Sequence, residues 1–219
     1  MCESTNKNYG FEHLTVVEHP LVQAKMAILR DEKTTTKQFR ELVTELTMLV
    51  GYEATRSLAL RPVDVTTPVA VAHCQELANP EPVIIPILRA GLGMVEGFMQ
   101  LMPDCKVGHL GMYRDEETFL PVPYYSNYPK DISERDTVLL DPMLATGGSA
   151  EAAVEFVKDK GAKNIKLMCI VAARQGVARL LENHPDIEIF AASFDEELTP
   201  KAYINPGLGD AGDRLFGTL

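Results

Sequence analysis

Residues Thr137 to Ala150 read TVLLDPMLATGGSA. Thr137, Val138, Leu139 and Leu140 form an apolar, β-favouring run that ends in Asp141. Pro142 breaks it, and Thr146, Gly147, Gly148 and Ser149 close it. Beyond the glycines, Ala150, Ala153, Val154 and Val157 recur at helical spacing. The stretch is therefore predicted as buried strand, small-residue loop, helix. Backbone N–H groups of such a loop, together with a helix N-terminus, make an anion site that small residues let a phosphate approach. Thr146 and Ser149 add hydroxyl donors. Asp141 would repel a phosphate, but suits the hydroxyls of a sugar that carries one. Gly147-Gly148 alone would also fit an ordinary βα turn.

Outward from this stretch, apolar strands alternate with helices. Strands are predicted at Val83–Ile87, where Pro86 reads as an edge or a strand end, at Lys106–Gly111, Ile165–Ala172 and Ile187–Ala192. Helices are predicted at Gly91–Leu101, 149–160 with Gly161 as its stop, and Gly176–Glu182. Continuous apolar strands joined by helices predict an α/β fold with a parallel sheet and ligands at the strands' carboxyl ends. Residues 113–129, with four Tyr and three Pro, read as a long hairpin or flap. Upstream, a helix is predicted from Pro20 to Asp31 with Leu21, Ala24, Ile28 and Met26 inward. A second follows a Thr35/Gln38 capping box and carries Phe39, Leu42, Val43, Leu46, Leu49 and Val50 on one stripe. That stripe is broad enough to pack on its own domain or on a second subunit. The whole chain, 1–219, reads as one domain, with 1–12 as a mobile arm and 200–216 as an ordered loop in which glycines interleave with Tyr203, Ile204, Leu208, Leu215 and Phe216.

Composition narrows the function. The chain has 219 residues, is 46% hydrophobic and carries a net charge of −10, with no Trp. An acidic chain gains no counterion-release term from polynucleotide, and few aromatics leave no stacking platform, so no nucleic-acid partner is expected. Cys2, Cys74, Cys105 and Cys169 are far apart in sequence, which supports neither a zinc site nor a redox pair and suits a reducing, cytoplasmic setting. No apolar run is long enough to cross a bilayer, and MCESTNKNYG lacks a signal-peptide core, so no membrane partner is expected.

Three further strings carry chemistry. Pro86 to Met94, PILRAGLGM, places Arg89 at a strand end beside small residues that open a helix. An arginine fork next to backbone N–H groups suits a diphosphate. Met112 to Glu117, MYRDEE, is a charged loop that by itself reads as a solvated face. Tyr203 to Asp213, YINPGLGDAGD, is rich in glycine whose peptide groups can reach the edge of a flat ligand.

Taken together, DPMLATGGS, RAGLGM and YINPGLGDAGD resemble the uracil phosphoribosyltransferase family, from about His13 to the end of the chain. Most of the wider superfamily ends the loop strand in two acids; here the second is Pro142, as in the uracil enzymes. The resemblance implies a type I phosphoribosyltransferase α/β core with an N-terminal helical arm and a C-terminal base-binding hood. It implies transfer of the 5-phosphoribosyl group from phosphoribosyl diphosphate (PRPP) to N1 of uracil, giving UMP and pyrophosphate. It assigns PRPP to Arg89, Arg114, Asp210 and the loop residues Asp141, Pro142, Met143, Leu144, Ala145, Thr146, Gly147, Gly148 and Ser149. Uracil falls to Ile204, Gly209, Asp210 and Ala211, and the catalytic roles to Asp210 and Arg114. The loop at Arg89 often holds a non-proline cis peptide in the superfamily. The segment around Arg114 is expected as a lid that excludes water. Mg²⁺ is expected on the diphosphate, held mainly by substrate and water, and a homo-oligomer, at least a dimer, is the expected assembly. One departure stands out: Arg174-Gln175 replaces a Pro-Glu pair common in bacterial members, near either the ribose 5-phosphate or a subunit contact. The rival readings are a phosphoribosyltransferase for another base and a non-catalytic regulator that senses nucleotides or binds RNA.

Overall fold

The computed structural model describes residues 7–114 and 121–218. In chain order it contains β1 (Leu14–Val16), α1 (Pro20–Arg30), α2 (Thr36–Ala54), β2 (Leu60–Thr66), β3 (Val71–Leu77), β4 (Val83–Leu88), α3 (Leu92–Leu101), β5 (Lys106–Val107), β6 (His109–Arg114) and β7 (Pro121–Asn127). There follow β8 (Asp136–Leu140), β9 (Met143–Leu144), α4 (Gly148–Asp159), β10 (Lys163–Ala173), α5 (Arg174–Asn183), β11 (Glu188–Asp195), β12 (Glu197–Leu198), β13 (Ile204–Asn205) and α6 (Ala211–Phe216).

The main sheet runs β1-β11-β10-β8-β4-β6-β7, with β5 beside β4 and β9 beside β10. It is parallel except for β7, which returns antiparallel to β6. The central strands read as unbroken apolar runs because both faces are covered. Val83, Ile85, Leu139, Leu167 and Cys169 face the core under α4 and α5, while Ile84, Val138, Leu140, Met168 and Ile170 face the one under α1, α2 and α3. The carboxyl ends of β4, β8, β10 and β11 therefore open at one edge, where their loops meet.

Three local expectations change, and one open alternative is resolved. Pro86 sits in a central strand, not at an edge. Its missing N–H is tolerated because the outer ladder is interrupted there: β4 pairs β5 at Val83 and Ile84, then β6 at Ile87 and Leu88. Helix α1 ends at Arg30 and buries Val22, Met26 and Leu29, while Leu21, Ala24 and Ile28 are exposed. Both faces of this helix carry apolar residues, and the sheet takes the other one. Of the two packings open to the α2 stripe, the first is observed: Phe39, Leu42, Val43, Leu46 and Val50 lie in the core of their own chain, with Leu49 partly buried against it. Residues 7–12, expected as part of a mobile arm, fold back: Lys7 bridges Val16, and the Tyr9 ring stacks on Phe194 at 4.5 Å between centroids. Thr35 caps α2 as expected, accepting the Gln38 N–H at 3.3 Å.

The hairpin β2–β3 has no counterpart in the sequence reading. Its two strands pair only with each other, and nearly every residue on both faces is exposed.

Candidate active site

The site is built on the loop after β8. The Asp141 N–H donates to the Met168 carbonyl at 3.1 Å, and the Pro142 carbonyl accepts from both Ile170 and Val171. Pro142 thus lays the loop along β10, and β9 continues the pairing at Val171 and Ala172. The Asp141 carboxylate accepts the Met143 N–H at 3.3 Å. Burial lifts the Asp141 carboxyl to about 6, and the Met143 N–H only partly offsets that rise. Gly147 turns the chain into α4 at φ 84°, in the left-handed region open to glycine, and a Cβ there would stand 3.0 Å from the Gly176 carbonyl oxygen. Asp141 and residues 143–150 line a hollow of about 110 Å³ at the α4 N-terminus. Among the described residues no side chain caps the N-terminus of α4, which brings its partial positive charge to the same point.

The strand beside β8 contributes the second wall. β4 ends in a cis peptide between Leu88 and Arg89. Arg89 is exposed. Gly91 lets the next turn press against β8, since a Cβ there would lie 2.3 Å from the Leu140 carbonyl oxygen.

The third wall is the hood. β13 carries Ile204, which is buried; a cis peptide joins Asn205 to Pro206; Gly209 has φ 83°; and Ala211 is buried at the start of α6. Asp210 is exposed and caps α6, its carboxylate accepting the Asp213 N–H at 2.9 Å. Ala90, Met143 and Ala145 join Ala202–Ile204 and Gly209–Gly212 around a second hollow of about 230 Å³. Met143 and Ala145 line both hollows. The three strings singled out in the sequence thus converge on one cleft, with the 141–150 loop at one end and Ala202–Gly212 at the other. The hairpin expected at 113–129 starts at His109 and pairs β6 with β7. Arg114 ends β6; its side chain, and residues 115–120, lie outside the described residues.

The departure at Arg174-Gln175 falls at the start of α5. Arg174 turns away from the cleft, pairs with Glu196 and lies over the Phe11 and Phe194 rings. Two residues on, Gly176 touches the back of the loop, where a Cβ would meet the Ala145 and Leu144 carbonyls. Sequence reasoning missed Gly176, Arg30, Asp195 and Arg214; none stands in a local pattern that marks it.

A mainly parallel sheet with a small-residue loop running into a helix N-terminus beside a C-terminal glycine-rich loop is the architecture of the type I phosphoribosyltransferases. A solved hypoxanthine phosphoribosyltransferase of Trypanosoma cruzi shares the fold, at a TM-score of 0.50 and 10% identity over 73% of this chain and 76% of that one. Similarity then becomes specific. The family model described as uracil phosphoribosyltransferase matches residues 16–218. A uracil phosphoribosyltransferase of Alkaliphilus oremlandii is 55% identical over 205 residues, 94% of this chain and 98% of its own length. The solved AQ2163 protein from Aquifex aeolicus is 38% identical at a TM-score of 0.87, over 93% of this chain and 97% of that one. The chain belongs to the uracil phosphoribosyltransferase family.

Proposed function

We propose that the cleft transfers the 5-phosphoribosyl group of PRPP to N1 of uracil, releasing pyrophosphate and forming UMP. The observation that carries this reading is the shared wall: Met143 and Ala145 border both hollows, so a ribose 5-phosphate in one and a base in the other would meet at C1 of the sugar. Loop N–H groups from Ala145 to Ser149, with the Thr146 and Ser149 hydroxyls, take the 5-phosphate. Asp141 accepts the ribose hydroxyls. Arg89 and Arg114 take the diphosphate and stabilise charge as it departs. Uracil lies under Ile204, Gly209, Asp210 and Ala211, whose peptide groups read its edge. Asp210 receives the N1 proton or stabilises positive charge developing at C1. The protein's contribution is alignment of N1 with C1 and exclusion of water.

Among the described residues no three His, Cys, Asp or Glu side chains gather to hold a metal. The cleft instead offers single carboxylates, Asp141 and Asp210, on separate walls. Such a donor set fits Mg²⁺ carried by the diphosphate, which adds charge neutralisation to the leaving group.

The assembly is a homo-oligomer, at least a dimer. A two-stranded hairpin alone is marginal in water, yet β2–β3 stands clear of the sheet with Leu60, Val65, Val69 and Val71 exposed. Leu21 and Ile28 add an exposed apolar strip on α1. Among the described residues no helix is long and apolar enough to span a membrane, and the protein works in the cytoplasm on small molecules, without nucleic acid. Pyrophosphate release from PRPP with uracil, cytosine, hypoxanthine or orotate tests the activity. Release with uracil is expected; release only with another base would replace this reading.

A further inference from the structure

The backbone of the hood is held from behind the cleft. Arg30, the last residue of α1, aims its guanidinium at the end of β11. One nitrogen donates to Asp195 at 2.8 Å and to the Gly207 carbonyl at 2.6 Å; the other donates to Asp195 at 2.6 Å and to the Ser193 hydroxyl at 2.7 Å. Asp195 in turn accepts the Gly207 N–H at 2.9 Å. Both polar groups of Gly207 are therefore fixed by one ion pair, whose aspartate is only 6% exposed. The next carbonyl is held too. Arg214 donates to Leu208 at 2.9 Å and to the Asp31 carbonyl at 2.6 Å, with its guanidinium 4.4 Å from the centroid of the Phe39 ring. Both arms reach the same place, the C-terminal end of α1.

We infer that Arg30, Asp195 and Arg214 are positioning residues for recognition of the base: they clamp the Gly207 and Leu208 peptides, and through them aim the Gly209–Ala211 edge at the ligand. None of the three lines the hood hollow, so they act through the backbone. A loop that reads a ligand by its peptide groups discriminates only as well as those groups are aimed, and a displacement near 1 Å can cost ~10²-fold. The arrangement also explains why so glycine-rich a segment is ordered. Arginine suits the task because its planar fork serves a carboxylate and a carbonyl at once, which a lysine ammonium cannot do with the same geometry. The inference rests on the reading of the hood as the base site.

Steady-state kinetics on the full chain, with uracil and PRPP varied separately, test it in Arg30→Gln and Arg214→Gln. Each variant is expected to raise the uracil KM by about tenfold or more and to lower selectivity for uracil over cytosine. The KM for PRPP should stay within about twofold, since the 141–149 loop is untouched. A folded variant with an unchanged uracil KM overturns the clamp. So does a parallel rise in both constants, which would mark a general structural support. If Arg30→Gln does not fold, Arg214→Gln decides by the same criterion. Failure of both to fold also counts against the clamp, as the residues would then support the core. A wild-type protein inactive with uracil would instead sink the reading of the site itself.

Discussion

Gly176 is packed against Ala145: a Cβ on the glycine would stand 2.5 Å from the Ala145 carbonyl oxygen and 2.9 Å from that of Leu144. The first turn of α5 thus forms the back wall of the 141–149 loop, and backbone cannot yield as a flexible side chain would. Gly176→Ala is expected to push the loop outward and raise the PRPP KM by about tenfold or more, with the uracil KM nearly unchanged. Overpacking of this kind also costs roughly 1–3 kcal/mol of stability. Initial-rate kinetics and a denaturant titration measure the two effects; wild-type PRPP kinetics would show that the wall gives way freely.

Asp141 sets a pH dependence. Burial raises its carboxyl from 3.8 to about 6 in the folded chain. The folded state therefore holds this proton more tightly than the unfolded state, and ionisation opposes folding. Stability of the substrate-free protein should fall as pH rises from about 4 through 6, by on the order of 2–3 kcal/mol from this group. Asp141→Asn should remove that slope. In the proposed reaction the ionised form accepts the ribose hydroxyls, so kcat/KM for PRPP should rise through the same range, and the asparagine variant should lose both that rise and most of its activity. Unfolding titrations at several pH values, beside pH–rate profiles of both proteins, check the pair of effects. An identical stability slope in the variant would remove Asp141 as its source.

Lys166 is a buried cation that serves α2. Its ammonium donates to the Ala54 carbonyl and the Ser57 hydroxyl, each at 2.6 Å, and lies 5.4 Å from the centroid of the Phe190 ring. Only 6% of the residue is exposed. Lys166→Ala removes the group that satisfies the helix end and opens space, so a loss of about 2–4 kcal/mol is expected. The site lies at the amino-terminal part of β10, away from the cleft, so kcat per folded molecule should not change. Urea unfolding and kinetics together decide; a large fall in kcat with stability intact would contradict the placement.

The residues that legibility favoured are those whose roles show locally. The runs through Ile84, Leu139 and Leu167 marked buried parallel strands because both faces of each are covered, and Gly147 and Gly148 marked the turn into α4. Apolar periodicity could not say which face of α1 meets the sheet, since Leu21, Ala24 and Ile28 compete with Val22, Met26 and Leu29. Pro86 looked like an edge residue because the gap between β5 and β6 exists only in three dimensions. The hairpin β2–β3 was silent because exposure on both faces leaves no alternation to read. The clamp was silent for a different reason: Arg30 and Asp195 lie 165 positions apart, and no local pattern ties an arginine at a helix end to a distant glycine loop.

Uracil should exceed cytosine by at least about tenfold in kcat/KM. Cytosine carries an amine where uracil carries a carbonyl, so a loop N–H aimed at that carbonyl would face another donor. A buried donor left unpaired costs about 1–3 kcal/mol, or roughly ten- to hundredfold. Competition between the two bases at fixed PRPP measures the ratio. Comparable rates would remove Tyr203–Asp213 from base recognition.

Asp210 faces two demands that one substitution separates. Its carboxylate caps α6 through the Asp213 N–H at 2.9 Å, and it also borders the hood hollow between Gly209 and Ala211. Capping uses an oxygen acceptor, which asparagine supplies about as well as aspartate. Asp210→Asn should therefore keep α6, and stability should change by only a few tenths of a kcal/mol. The proposed chemistry uses the charge. The N1 proton of uracil must leave as the glycosidic bond forms, and a neutral amide can neither accept it nor stabilise positive charge developing at C1. Both roles act mainly in the transition state, so kcat should fall by about 10²–10⁴-fold while neither KM rises by a comparable factor. Single-turnover measurements, beside a melting curve, distinguish the two demands. A variant with near-normal kcat and an intact melting curve would confine Asp210 to the cap, and the proton would need another acceptor at the hood.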